Sequence, residues 1–80
     1  MSRVVSRARP IRLAYQAALE RIVTLEEVAE ATGITPAALC RIERNQTERI
    51  DFRTLHKLCM FYKVKPGDLL TIEETEMKQA

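Results

Sequence analysis

Residues 25–44 read LEEVAEATGITPAALCRIER, and the fold turns on how the chain passes the glycine in their middle. Thr24, just before this stretch, is followed three residues later by Glu27, the spacing of a capping box, and Val23 stands where it can pack on Val28 as a hydrophobic staple. Thr35 can cap a second helix that starts with Pro36, a residue suited to the first helical position, with Ile34 stapled to Leu39. Between the two lies Gly33. A chain that leaves one helix and enters another so abruptly commonly needs a residue at positive φ, which glycine adopts without penalty. Ala29 precedes it by four residues, where a larger side chain would push the helices apart. Val28, Ile34, Leu39 and Ile42 supply an apolar side. The unit therefore buries one face and projects its second helix from the other.

The same signals recur outward. Asp51 caps a helix with Ile50 stapled to Leu55. Val64 and Leu69 form a fourth staple around Pro66, with Asp68 near the positive end of the helix dipole and Lys65, a poor cap, at the capping position. The pattern predicts five helices, over residues 11–22, 25–32, 36–44, 52–62 and 66–70. A basic arm at 1–10, one domain at 11–72 and a flexible tail at 73–80 complete the expected organisation. There is no internal repeat.

Eighty residues, 46% apolar and 30% charged, make one ordinary domain. A chain this short buries only about 60% of its unfolded surface. No apolar run approaches the roughly 20 residues of a membrane span. The basic start lacks an apolar signal-peptide core, so the expectation is a cytoplasmic protein. Cys40 and Cys59 are too few and too far apart for a metal site, and His56 has no ligand at a suitable spacing. No nucleophile sits with a base and no glycine loop cradles a phosphate, so neither enzyme activity nor a cofactor is expected. The net charge of +2 is small but unevenly distributed. Residues 1–12 and 41–65 are each strongly basic, while 13–40 and 66–80 are acidic. Such polarisation suits a polyanion, and equally describes a solvated tail plus a helix surface.

The run TLEEVAEATGITPAALCRIERNQTERIDFRTLHKLCMFYKVKPGDLL resembles the Cro- and Xre-type helix-turn-helix regulators, the lambda-repressor-like DNA-binding domains, above all their compact stand-alone members. The likeness covers about residues 13–70, with RIER, IDFRTLHKLC and KPGDLL at family spacing. It implies an all-α bundle of five helices whose third helix enters the major groove of double-stranded DNA. Carried over by position, Thr35 would touch a phosphate, and Pro36, Ala37 and Arg41 would face base edges with Cys40 beside them. Arg44, Asn45 and Arg49 fall where the family grips the backbone. The guanidinium of Arg41 suits guanine, whose O6 and N7 it can hold with two hydrogen bonds. Two positions depart from the pattern: Leu25 stands where relatives often carry a phosphate-binding Gln, and Ile22 stands near the usual helix-ending glycine, so that connection needs a different shape.

Several residues admit two readings. The arm, with Arg3, Arg7 and Arg9, can follow a minor groove, or Val4–Val5 can pair as a strand with 70–72, or it can stay disordered. Cys40 reads as a small filler beside the reading face, since nothing marks a lowered thiol pKa. Cys59 and Met60 read as core packing, and Phe52, Phe61 and Tyr62 as core or rim aromatics. Tyr15 is ambiguous, and Glu43 reads as a helix-end salt bridge or as an orienter of its basic neighbours. A repressor or other transcriptional regulator acting as a homodimer, with no small-molecule effector evident, is the expected function. An antitoxin or protein-interaction adaptor on the same fold is the alternative.

Overall fold

The computed structural model describes residues 2–74. In chain order these form β1 (Ser2–Ser6), α1 (Ala8–Leu19), α2 (Leu25–Thr32), α3 (Pro36–Glu43), α4 (Phe52–Tyr62), α5 (Pro66–Leu69) and β2 (Leu70–Glu74). The first and last elements pair antiparallel, Val4 opposite Ile72 and Val5 opposite Thr71, which joins the two ends of the described residues beside a five-helix bundle.

The helix starts lie where local chemistry places them. The Thr24 hydroxyl accepts the Glu27 N–H at 3.1 Å, the Thr35 hydroxyl that of Ala38 at 3.2 Å, and the Asp51 carboxylate that of Thr54 at 2.7 Å. At α5 the order is inverted, since Lys65 offers no side-chain acceptor and instead donates its N–H to the Asp68 carboxylate at 3.0 Å. The box expected at Thr24 forms only in its first half. Glu27 turns its carboxylate to Arg21, whose guanidinium holds it at 2.7 and 2.8 Å. All four staples contribute to the core or pack directly on it. At its centre Leu58, Leu69, Val23 and Val28 are fully buried.

Three expectations change. Helix α1 begins and ends three residues earlier than the apolar pattern suggested. Pro10 lies in its first turn, where the missing N–H has no helical partner to lose. At its other end Glu20, not Ile22, takes the left-handed conformation (φ 57°), and the N–H groups of Glu20 and Arg21 close back on Ala17 and Gln16. The residues read as an arm are largely strand: Ser2–Ser6 form β1, and Arg9 and Pro10 belong to α1. Glu73 and Glu74 likewise extend β2 and do not begin a tail, whose remaining residues, 75–80, lie outside the described residues.

The α4 aromatics divide by helical face. Leu55, Leu58, Cys59 and Tyr62 turn inward; Met60, on the opposite side, is 65% exposed, and Phe52, the first residue of the helix, is 88% exposed, so neither packs in the core. Phe61 and Tyr62 close on Tyr15 of α1, with ring centroids 5.0–5.5 Å apart. Burial, then the Glu43 carboxylate, pushes the Tyr62 phenol up to about 12. Both cysteines are free thiols, Cys40 half-buried and Cys59 buried, and burial raises the Cys59 thiol above its ordinary range.

Candidate nucleic-acid interface

The turn between α2 and α3 is built by two residues. Gly33 sits at φ 78° and donates its N–H to Ala29 O at 2.8 Å. A side chain here would find room, since its nearest neighbour, the Lys57 ammonium, lies 3.8 Å from where a Cβ would stand. Glycine is required for its backbone angle, not for space. The adjacent Thr32 hydroxyl donates to Val28 O at 2.7 Å and accepts from Ile34 N–H at 3.2 Å, which satisfies buried groups at the bend. Ala29, partly buried on α2, packs against the core.

This turn presents α3 outward. Leu39 and Ile42 are buried, while Pro36, Ala37 and Arg41 are exposed and Cys40 is half-buried at their side. Ala37, Arg41 and Arg44 recur at intervals of four and three and so share one helical face. Among the described residues neither Arg41 nor Arg44 takes part in an ion pair. The apolar half of this face can contact only methyl groups or sugar edges. Its two guanidinium groups can donate to base or phosphate oxygens.

The inward half of α3 carries the most buried ion pair among the described residues, and Arg12, not singled out from the sequence, makes it. Its Nε donates to Glu43 Oε2 at 2.7 Å and Nη2 to Oε1 at 3.1 Å, while Nη1 donates to Val23 O at 2.8 Å. The side chains are only 16% and 8% exposed. Hydrogen bonding to Glu43 raises the Arg12 pKa further against the opposing effect of burial. One guanidinium thus ties α1 to α3 and to the segment entering α2. Glu43 is accordingly a clamp on α1 and not an orienter of Arg41. The signal was present in the sequence as an arginine on the buried side of α1, between Ile11 and Tyr15.

The other residues expected at the interface are more dispersed. Thr35 is exposed, with its hydroxyl engaged as the α3 cap. Asn45 ends α3 in the left-handed conformation (φ 58°), and its amide holds both backbone groups of Ser6: the Ser6 N–H donates to Oδ1 at 2.6 Å, and Nδ2 donates to Ser6 O at 3.5 Å. That amide fastens β1 to the recognition unit. Arg49 lies exposed in a loop turned by Thr47, whose hydroxyl donates to Arg49 O at 2.8 Å. Arg49 shares a cleft of about 500 Å³ with Arg3, Ser6 and Asn45 between β1 and the α3–α4 loop. Arg3 also faces Glu73 across the ribbon at 3.4 Å. Arg7 and Arg9 are exposed but do not line that cleft.

A bundle whose second and third helices meet at a left-handed glycine, with the third projecting cations, is a helix-turn-helix DNA-binding domain. The chain belongs to the Cro/C1-type HTH DNA-binding domain family, which it matches over residues 12–75. Comparison with curated proteins and with solved structures returned no significant match. Membership makes the protein a small DNA-binding regulator. Among the described residues no helix is long and apolar enough to cross a membrane.

Proposed function

We propose that this protein is a cytoplasmic transcriptional repressor that binds operator DNA as a homodimer, with α3 of each copy in the major groove. The observation that carries the reading is the asymmetry of α3. Its inward side is fixed by Leu39, Ile42 and the Glu43–Arg12 clamp, and its outward side presents Ala37, Arg41 and Arg44 to solvent. Arg41 reads a base edge, Thr35 and Arg44 approach phosphates at either end of the helix, and Arg49 extends the basic path from the loop. A single short helix spans few base pairs, so specific binding calls for two copies on half-sites about one turn apart, roughly 34 Å. The activity requires no cofactor and no catalytic group.

Selection of sites from random duplex DNA at fixed, stated salt tests the proposal, and a repeated half-site is the expected result. On the selected site Arg41→Ala should weaken binding by about 1–3 kcal/mol and relax preference at one position. Arg44→Ala should weaken all duplexes alike and flatten the salt dependence. An Arg41→Ala variant that binds the selected site as tightly as its parent would refute the assignment of α3 as the reading helix.

A further inference from the structure

A sheet of two strands has two outer edges, and hydrogen-bond parity determines what each one offers. The Arg7 N–H donates to Leu69 O at 2.7 Å, one step beyond the Ser6–Leu70 pair. Antiparallel pairs alternate between bonded and non-bonded, so Val5–Thr71 and Arg3–Glu73 are bonded, whereas Ser6–Leu70 and Val4–Ile72 turn their backbone groups outward. The Asn45 amide, which holds both backbone groups of Ser6 from the outer side, confirms that parity independently.

The two edges differ. On β1, Asn45 already holds both backbone groups of Ser6, so a two-fold pairing centred on Val4 loses its Ser2–Ser6 bonds, and one centred on Arg3 sets two arginines directly opposite, which is destabilising. On β2, the Leu70 N–H is taken by Pro66 O, but the Leu70 carbonyl and both backbone groups of Ile72 point outward. Ile72 and its cross-strand neighbour Val4 are also 73% and 64% exposed. An open edge beside an apolar pair is a template for another strand.

We infer that the outer edge of β2 pairs antiparallel with β2 of a second copy about a two-fold axis at Ile72. This names the surface of the homodimer proposed above. The edge is self-complementary in that register: the two Ile72 residues exchange N–H and C=O, and each Glu74 N–H reaches the Leu70 carbonyl of the other copy. Charge agrees as well, since Glu73 then faces Thr71 of the second copy and no like charges stand opposite. On the other face Val4 and Ile72 of both copies form one apolar row across a four-stranded sheet. One strand pair covers less than the about 1,200–2,000 Å² of a standard stable interface, so the dimer is weak and concentration-dependent.

Sedimentation velocity of the full chain without DNA, over a wide concentration series, tests this. Ile72→Pro removes an N–H that faces away from β1, so the ribbon within the chain survives. With two intermolecular bonds lost per dimer, the dissociation constant should rise roughly thirtyfold. Val4→Pro, which alters the β1 edge in the same way, should leave it within about twofold. In a mixture of isotope-labelled and unlabelled parent chains, inter-chain NMR contacts between the α-protons of Thr71 and Glu73 should appear, whatever the folding of the proline variants. A parent monomeric throughout, weakening by Val4→Pro but not Ile72→Pro, or a dimer without the Thr71–Glu73 contact would each overturn the inference. None of these outcomes touches the reading of α3, because no DNA is present, and Arg41→Ala should leave the dimer constant unchanged.

Discussion

Replacing Arg12 by alanine removes three hydrogen bonds at once, two to the Glu43 carboxylate and one to Val23 O. It leaves Glu43, only 8% exposed, without its cation. Deleting one member of a buried pair costs about 3–5 kcal/mol, chiefly because the surviving charge is uncompensated. Arg12 keeps some contact with solvent at 16% exposure, which places the loss near the lower end, about 3 kcal/mol. Eighty residues typically hold about 4–12 kcal/mol in total, so this is a large fraction of the fold's stability. In a domain of this size it lowers Tm by about 12–24 °C. Urea and thermal unfolding followed by circular dichroism measure it. A cycle with Glu43→Ala should return a coupling of about 2 kcal/mol, because each single change already breaks the pair. The joint replacement Arg12→Met with Glu43→Leu should recover most of the loss, since apolar groups of similar size need no desolvation of charge. Should Arg12→Ala stay within about 0.5 kcal/mol of the parent, or the two alanine changes simply add, the clamp does not hold α3 as argued.

Two further outcomes follow from the helix ends. Glu20 and Lys63 both adopt the left-handed conformation, at φ 57° and 60°. Glycine at either site should therefore raise stability by about 0.5–1 kcal/mol, read as a higher Tm, and a Glu20→Gly variant no more stable than the parent would count against that backbone geometry. The Asp51 carboxylate is held below its ordinary range, first by the Thr54 N–H it caps and then by the Thr54 hydroxyl, with smaller help from Arg53 and Lys57. A depressed carboxylate adds stability above its unfolded pKa and loses it as pH falls through the folded value. Asp51→Asn keeps an oxygen for the cap but cannot titrate, so the acid limb of its stability–pH curve should be shallower than the parent's; an unchanged limb would show that the cap's charge is irrelevant.

The helical part of this protein is legible because its determinants act over three to five positions. Thr24, Thr35 and Asp51 cap the helices they precede, the four staples each join residues five positions apart, and Gly33 takes the left-handed turn its position demands. Such signals need no knowledge of the rest of the chain. The outward side of α3 follows from the same periodicity through buried Leu39 and Ile42, whereas the roles of Pro36, Ala37 and Arg41, and of Arg44, Asn45 and Arg49, come from the family resemblance alone. The sequence by itself therefore determined five helices, their order, and which face of the third turns outward.

Tertiary structure decided what joins them. Arg12 meets Glu43 across 31 positions, Asn45 meets Ser6 across 39, and Arg3 meets Glu73 across 70. Arg3 and Arg12 both count toward the basic charge of residues 1–12, and both have carboxylate partners far along the chain. The reading of β1 as one of three options, and of Asn45 as a backbone grip, failed to reach the same contacts for the same reason. An arginine or an asparagine can satisfy its donors with water, a phosphate or a distant carboxylate, and the choice among them depends on which groups the packed helices bring within 3 Å. Local energetics leaves that choice open until the core has closed.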